Sequence, residues 1–132
     1  MRMLPWTLAF VFGFSAVVQA KPPRCDEEGA GGAVRIDVIV AEKRVEPKEC
    51  TVGPGTKIVW FLDDENQAFE ADFGKASPDP AKGTKIKSAR VLYHQEAKIT
   101  ARKVTEETTY DYALIVNGEE YDPAIIIDPN KN

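Results

Sequence analysis

Strict alternation of apolar and polar residues, with β-branched side chains at apolar positions, is the feature that most constrains this fold. In the segment AVRIDVIV, one face carries only aliphatic residues, which are Val34, Ile36, Val38 and Val40. Arg35 and Asp37 fall on the other face. The segments KIVWFL (residues 57–62) and AFEADF (68–73) alternate in the same way. A period of two is typical of half-buried strands, so the chain predicts sheets and not helices.

Further strands are expected at residues 50–52, around RVLY and AKITA, over residues 110–116 and over 124–127. Turn residues separate them: GPGT at 53–56, and Asn117-Gly118, which suits a type I′ hairpin because both positions need positive φ. Pro47 marks an edge or a bend. Residues 74–90 contain two prolines, two glycines and five basic residues, and are expected to form a loop. The pattern predicts an all-β sandwich.

The first twenty residues resemble a cleaved secretory signal. Arg2 supplies a positive start, an apolar run follows to Val18, and Ala20 ends a small-residue cleavage site. The run is too short for a comfortable membrane span, although a retained anchor is the alternative. Arg24 before Cys25 argues against a lipoprotein. We expect residues 21–32 to be an irregular lead, 33–128 the sandwich and 129–132 a tail, in a periplasmic or secreted protein without stable membrane insertion.

The net charge limits which partners the protein is expected to bind, and the two cysteines indicate the compartment. The chain has 17 basic and 21 acidic residues, and loss of Arg2 with the signal moves the net charge from −4 to −5. An acidic domain repels nucleic acid and anionic membranes, so neither is expected as a partner. Cys25 and Cys50 are predicted to form a disulfide in an oxidising compartment. Their spacing is far from CxxC, which disfavours a redox or metal-binding pair.

The segments GTKIVWFLDDENQAFEADF and YDYALIVNGEEYDPAIIID resemble the cupredoxins, the β-sandwich family of blue-copper electron carriers. The shared framework positions are Gly55, Ile58, Trp60, Asp64, Tyr110, Tyr112 and the closing strand at 125–127. The resemblance covers roughly residues 33 to 128. It implies a cupredoxin-like Greek-key sandwich of about seven to eight strands.

The copper ligands of that family are missing. Ala68 stands where the first His would fall, Leu114 at the Cys position and Asn117 at the second His position. The region of the Met ligand reads Tyr121-Asp122-Pro123. A blue-copper centre needs two imidazoles and a thiolate, whereas residues 21–132 contain one His and no Met. We therefore expect no bound metal and no cofactor.

Three groups of residues have both a functional and a plain structural interpretation. His94, beside Gln95 and Glu96, could join a weak metal site or act as a base, but a lone His is usually a surface or hydrogen-bonding residue. Asp63, Asp64 and Glu65 offer oxygen ligands to Ca²⁺, but they lack the alternate spacing of a calcium loop, which favours a solvated turn. Asp122-Pro123 could form a rim that contacts a partner, and a chain reversal is favoured instead.

A basic stretch in an acidic protein is the most suggestive feature. It comprises Lys75, Lys82, Lys85, Lys87 and Arg90. Such asymmetry could steer an acidic partner, although lysine-rich solvated loops are also common. We predict a non-catalytic binding or accessory module that engages another envelope protein through loops at one end of the sandwich. Deletion of residues 74–90 is then expected to abolish binding and spare the fold. The alternative is a metal-handling or electron-transfer protein with a non-standard site at His94.

Overall fold

The computed structural model describes residues 21–27 and 32–131, so the predicted signal at 1–20 lies outside the described residues. Backbone hydrogen bonding there defines twelve short strands. They are β1 (Ala33–Ile39), β2 (Arg44–Glu46), β3 (Glu49–Val52), β4 (Lys57–Leu62), β5 (Phe69–Asp72), β6 (Lys85–Lys87), β7 (Ala89–Val91), β8 (His94–Thr100), β9 (Thr108–Asp111), β10 (Ala113–Val116), β11 (Glu119–Tyr121) and β12 (Ala124–Ile127). Two short 3₁₀ turns occur at Val40–Glu42 and Pro80–Lys82.

The first layer is a five-stranded sheet in the order β2-β1-β4-β8-β7. β1 and β4 run parallel, with Ile36 opposite Trp60, and β8 pairs antiparallel with β4, with Ala97 opposite Trp60. Alternation places every second residue of these strands inside, as the sequence predicts, and Ile36, Ile58 and Trp60 are fully buried. This sheet therefore forms one face of the core.

The second layer consists of two sheets, in the orders β11-β10-β5-β6 and β3-β12-β9. One long hairpin runs through both sheets, because β9 and β12 pair in one and β10 and β11 pair in the other, and it changes sheet at Tyr112. The break is bridged because the Tyr112 amide donates to the Pro123 carbonyl at 3.1 Å. The sequence pattern predicts a single strand over residues 110–116, but the structure has two strands in two sheets. The predicted type I′ turn is confirmed, since Asn117 and Gly118 have φ of 54° and 75°.

An aromatic cluster and one disulfide join the layers. Trp60 donates its indole N–H to the Tyr112 hydroxyl at 2.9 Å, and Phe73 packs 4.7 Å from the Tyr112 ring. Burial raises the pKa of Tyr112, and the hydrogen bond from Trp60 only partly offsets that effect. The predicted disulfide between Cys25 and Cys50 is present, and it ties the segment that precedes β1 to β3 in the other layer.

The all-β class predicted from the sequence is confirmed, with more strands than the seven to eight expected. The prediction of a loop over residues 74–90 holds for residues 74–84, which contain only a 3₁₀ turn, and is wrong for residues 85–90. Residues 74–90 contain β6, the start of β7 and the buried residues Ser77, Pro78 and Asp79. The Asp79 carboxylate accepts a hydrogen bond from the Thr100 amide at 2.8 Å, which fixes the segment against β8. Three-residue strands rich in lysine give too little alternation to be recognised.

Candidate functional site

Three connections meet at the end of the sandwich that follows β4, which we call the β4 end. They are the β4–β5 connection, the turn between β7 and β8, and the Asn-Gly turn between β10 and β11. Gln95 at the start of β8 donates to the Glu65 carbonyl at 2.7 Å, and Arg90 forms an ion pair with Glu65 at 2.7 Å. Asn117 donates to the Gln67 side chain at 2.5 Å. Polar contacts therefore join all three connections into one surface.

Carboxamides occupy the part of the β4 end where the resemblance places copper. Gln67 donates to the Asp64 carboxylate at 2.7 Å while accepting from Asn117, so one chain of hydrogen bonds spans both layers. The backbone N–H of Asn66 also donates to the Asp64 carboxylate, at 2.9 Å. These two hydrogen bonds hold the pKa of Asp64 below its ordinary value, because they stabilise the carboxylate.

The residues at the copper positions do not fit the metal. Ala68 presents a methyl group, Leu114 is fully buried in the core, and the Asn117 amide is bonded to Gln67. Blue-copper coordination needs imidazole nitrogens and a thiolate, and none of these three side chains supplies either. In residues 21–27 and 32–131, no three His, Cys, Asp or Glu side chains lie close enough together to hold a metal ion.

His94 lies at the start of β8 and is half-buried. Its Nε2 is 2.8 Å from a Glu96 carboxylate oxygen, and its ring lies 4.2 Å from that of Phe61. Lys98 contacts the other Glu96 oxygen at 3.1 Å. Burial raises the pKa of Glu96, but the hydrogen bonds from His94 and Lys98 outweigh it, so the pKa lies below its ordinary value. The surroundings of His94 therefore fit a hydrogen-bonding residue.

The acidic residues at 63–65 and the Asp122-Pro123 pair have structural roles. Asp63 is exposed, Asp64 organises the β4–β5 turn, and Glu65 pairs with Arg90. Asp122-Pro123 does not reverse the chain, which corrects the sequence-based interpretation. β11 pairs with β10 and β12 with β9, all antiparallel, so the chain keeps its direction while it crosses between two sheets.

A feature that sequence reasoning missed is an exposed apolar tip at the turn between β7 and β8. It consists of Val91, Leu92 and Tyr93, whose surfaces are 38%, 74% and 77% exposed. Leu92 has a positive φ of 56°, and its carbonyl accepts a hydrogen bond from Arg90. The sequence signal was three consecutive apolar residues, which break the period of two. We call these three residues the apolar tip.

The five basic residues proposed as a partner-binding loop do not form one loop. Lys75 lies in the β5–β6 connection, Lys82 in a 3₁₀ turn, and Lys85 and Lys87 on the exposed side of β6. Arg90 belongs to β7 and joins the β4 end through Glu65. Lys82, Lys85 and Lys87 share one groove with Lys98, whereas Lys75 is not among the residues that line it.

The fold is that of a cupredoxin-like sandwich, and within residues 21–27 and 32–131 no group of side chains could hold a metal ion. Solved structures of amicyanin share the fold. The reduced form of a tryptophan-to-tyrosine mutant superposes with a TM-score of 0.50 at 18% identity, over 76% of this chain and 87% of that chain. The Cu(I) form at pH 4 of a proline-to-glycine mutant gives 0.50 at 19% identity, over 82% and 92%. No protein-family model and no curated protein matches the sequence. At this identity the likeness shows the fold alone.

Among the described residues, no helix is both long and apolar enough to cross a membrane.

Proposed function

We propose that this protein is a secreted or periplasmic, non-catalytic binding module that docks on another envelope protein through the β4 end. The apolar tip is its main contact. The observation that carries the proposal is the exposure of Leu92 and Tyr93, at 74% and 77%. Large apolar side chains held together in water mark interaction sites, and Tyr is enriched among residues that dominate binding energy.

The tip is held in place, which favours docking over simple loop exposure. β7 pairs with β8 immediately before and after the turn, with Val91 opposite His94. The ion pair between Arg90 and Glu65 at 2.7 Å ties the tip to the β4–β5 connection. A surface that is already ordered loses little conformational entropy on association.

Photo-crosslinking in the envelope fraction of producing cells tests this surface. A benzoylphenylalanine residue replaces Tyr93, and the control places the same residue at Thr109, an exposed position in the other layer. We expect a discrete adduct from position 93 that Leu92→Asn removes, since Asn tolerates the positive φ of that position. Equal adducts from both positions, or none from position 93, would refute the docking surface.

Point substitutions are a better test of this surface than the deletion of residues 74–90 that the sequence analysis proposes. Deletion of residues 74–90 would remove β6 and the contact of Asp79 with Thr100, so loss of binding would also follow from loss of the fold.

Metal titration tests the alternative of a metal-handling protein. Elemental analysis of the purified, disulfide-bonded protein comes first, followed by calorimetry with Cu(I), Cu(II), Zn²⁺ and Ca²⁺. The proposal expects no stoichiometric binding in the micromolar range. Stoichiometric copper binding that His94→Ala abolishes would establish the alternative.

A further inference from the structure

The Asn-Gly turn between β10 and β11 brings together two groups that can react with each other. The backbone nitrogen of Gly118 can attack the side-chain Cγ of Asn117, because only a short stretch of chain separates the two atoms and the new bond closes a cyclic imide. Glycine has no side chain to obstruct that attack. Both residues are exposed, and no atom lies within 4 Å of the position that a Cβ on Gly118 would occupy. Water can therefore reach the turn from the Gly118 side.

The Asn117 side chain also links the two layers. Its Nδ2 donates to the Gln67 Oε1 at 2.5 Å, and the Gln67 Nε2 donates to the Asp64 carboxylate at 2.7 Å. Nδ2 is the atom that imide formation expels, so the Asn117 amide has to leave Gln67 before it reacts. A hydrogen bond between exposed side chains contributes little net stability, so this one opens repeatedly. The contact with Gln67 therefore slows the reaction of Asn117 and does not prevent it.

We propose that Asn117 is a site of spontaneous deamidation, and that its conversion releases the β10–β11 turn from the β4–β5 connection. The Gly118 nitrogen loses its proton to hydroxide or water and bonds to the Asn117 Cγ. The bond from Cγ to Nδ2 breaks, and Nδ2 takes up a proton and leaves as ammonia. Water then adds to either carbonyl carbon of the imide and opens the ring, which gives aspartate or isoaspartate. Water is the only co-reactant, and the inference does not depend on docking through the apolar tip.

Either product disrupts the contact with Gln67. A carboxylate has no N–H, so an aspartate at position 117 cannot donate to the Gln67 Oε1, and the two oxygens repel each other. If Gln67 turns its amide group over, its oxygen faces the Asp64 carboxylate instead. An isoaspartate adds a methylene group to the backbone between Val116 and Glu119, which are paired across the turn. The link between the layers at the β4 end is therefore lost in both cases.

Ageing of the purified, disulfide-bonded protein at neutral and alkaline pH tests the inference. Peptide mass spectrometry after digestion measures the fraction of each asparagine that has been converted. Asn66 and Asn130 are internal controls, because both are exposed but are followed by Gln67 and Lys131. We expect conversion at Asn117 to exceed conversion at both controls. Its rate should rise with pH, since the attacking nitrogen has to lose its proton.

Two variants separate the chemistry of the turn from general exposure. Gly118→Ala adds a methyl group beside the attacking nitrogen, and conversion at Asn117 is expected to fall to the level of Asn66 and Asn130. Gln67→Ala removes the acceptor of the Asn117 amide and is expected to speed the conversion. Urea unfolding of each variant shows whether a changed rate comes from a changed stability.

An aspartate mimic tests the consequence for the β4 end. Hydrogen bonds from the side chain of Gln67 and the backbone of Asn66 hold the pKa of Asp64 below its ordinary value. Asn117→Asp is expected to raise the pKa of Asp64, measured by NMR titration, because the Gln67 amide no longer serves Asp64 alone. Asn130→Asp adds the same charge elsewhere and is expected to leave that pKa where it is.

Three results would overturn the inference: conversion at Asn117 no faster than at Asn66 and Asn130, an undiminished rate in Gly118→Ala, or the same Asp64 titration in both aspartate variants. All of these measurements use the protein alone. Their outcome is therefore independent of whether a benzoylphenylalanine at position 93 forms a crosslink, so failure of the docking proposal and failure of this inference are distinguishable.

Discussion

We expect opposite changes in the free energy of unfolding when the hydroxyl group is removed from two tyrosines of the same core. Tyr112 accepts the indole N–H of Trp60 at 2.9 Å, and Trp60 is fully buried. The Tyr121 hydroxyl is also buried but has no hydrogen-bond partner among the described residues. Each Tyr→Phe substitution removes one oxygen and leaves the ring, so the packing change is the same in both variants.

The expected magnitudes follow from what each substitution leaves behind. Tyr112→Phe leaves the Trp60 N–H buried without an acceptor, which costs about 1–3 kcal/mol of unfolding free energy. For a domain of about 110 residues that is a drop in Tm of about 4–13 °C. Tyr121→Phe removes a buried hydroxyl that already lacks a partner, so the free energy of unfolding should be unchanged or higher.

Urea unfolding of both variants, with the disulfide intact, provides the measurement. The midpoint should fall for Tyr112→Phe and should stay or rise for Tyr121→Phe, with equal slopes showing that the unfolded states are comparable. The reasoning is refuted if Tyr121→Phe destabilises as much as Tyr112→Phe. It is equally refuted if Tyr112→Phe leaves the midpoint where it is.

Three further variants test the disulfide, the Glu96 carboxylate and the turn at Gly118. Replacing Cys25 and Cys50 by Ser opens a loop of sequence separation 25 and should cost about 3 kcal/mol, measured by urea unfolding against the oxidised wild type. The folded-state pKa of Glu96 lies below its ordinary 4.5, so its contribution to stability is present above that pH and is lost as the pH falls through the folded-state pKa. Glu96→Gln should therefore flatten the fall in Tm between neutral and acid pH, and an unchanged slope would contradict the stabilising role of His94 and Lys98. Gly118→Ala should cost about 1 kcal/mol, because φ is 75° and no atom lies within 4 Å of an added Cβ, which leaves only backbone strain.

The sequence was a good guide to the fold where alternation was long. Seven residues of β1 and six of β4 are enough to fix both strand and face. It failed where strands are three residues long, as in β6, because Lys85 and Lys87 give the same signal on a strand edge as in a solvated loop. The break at Tyr112 was also missed, since both halves keep the same alternation.

The candidate site was only partly predictable for a different reason. The resemblance to the cupredoxins places Ala68, Leu114 and Asn117 at that family's ligand positions, so the absence of its ligand residue types there is visible in the sequence. The apolar tip is not visible in the sequence, because exposure of Leu92 depends on a left-handed turn that no local Gly or Asn predicts. The groove is less visible still, since it requires β6 and β8 to meet across two layers.

The two-residue turn after β10 limits how this scaffold could be redesigned. Val116 pairs with Glu119, so the chain enters β11 directly after Gly118 and leaves no spare residues to curl back over the β4 end. Leu114 and Tyr121 are paired across the hairpin and both are buried. Ligands substituted at Leu114 and Tyr121 would therefore place donors in the packed interior. A designer who wanted copper here would have to lengthen the turn first, and only then choose the side chains.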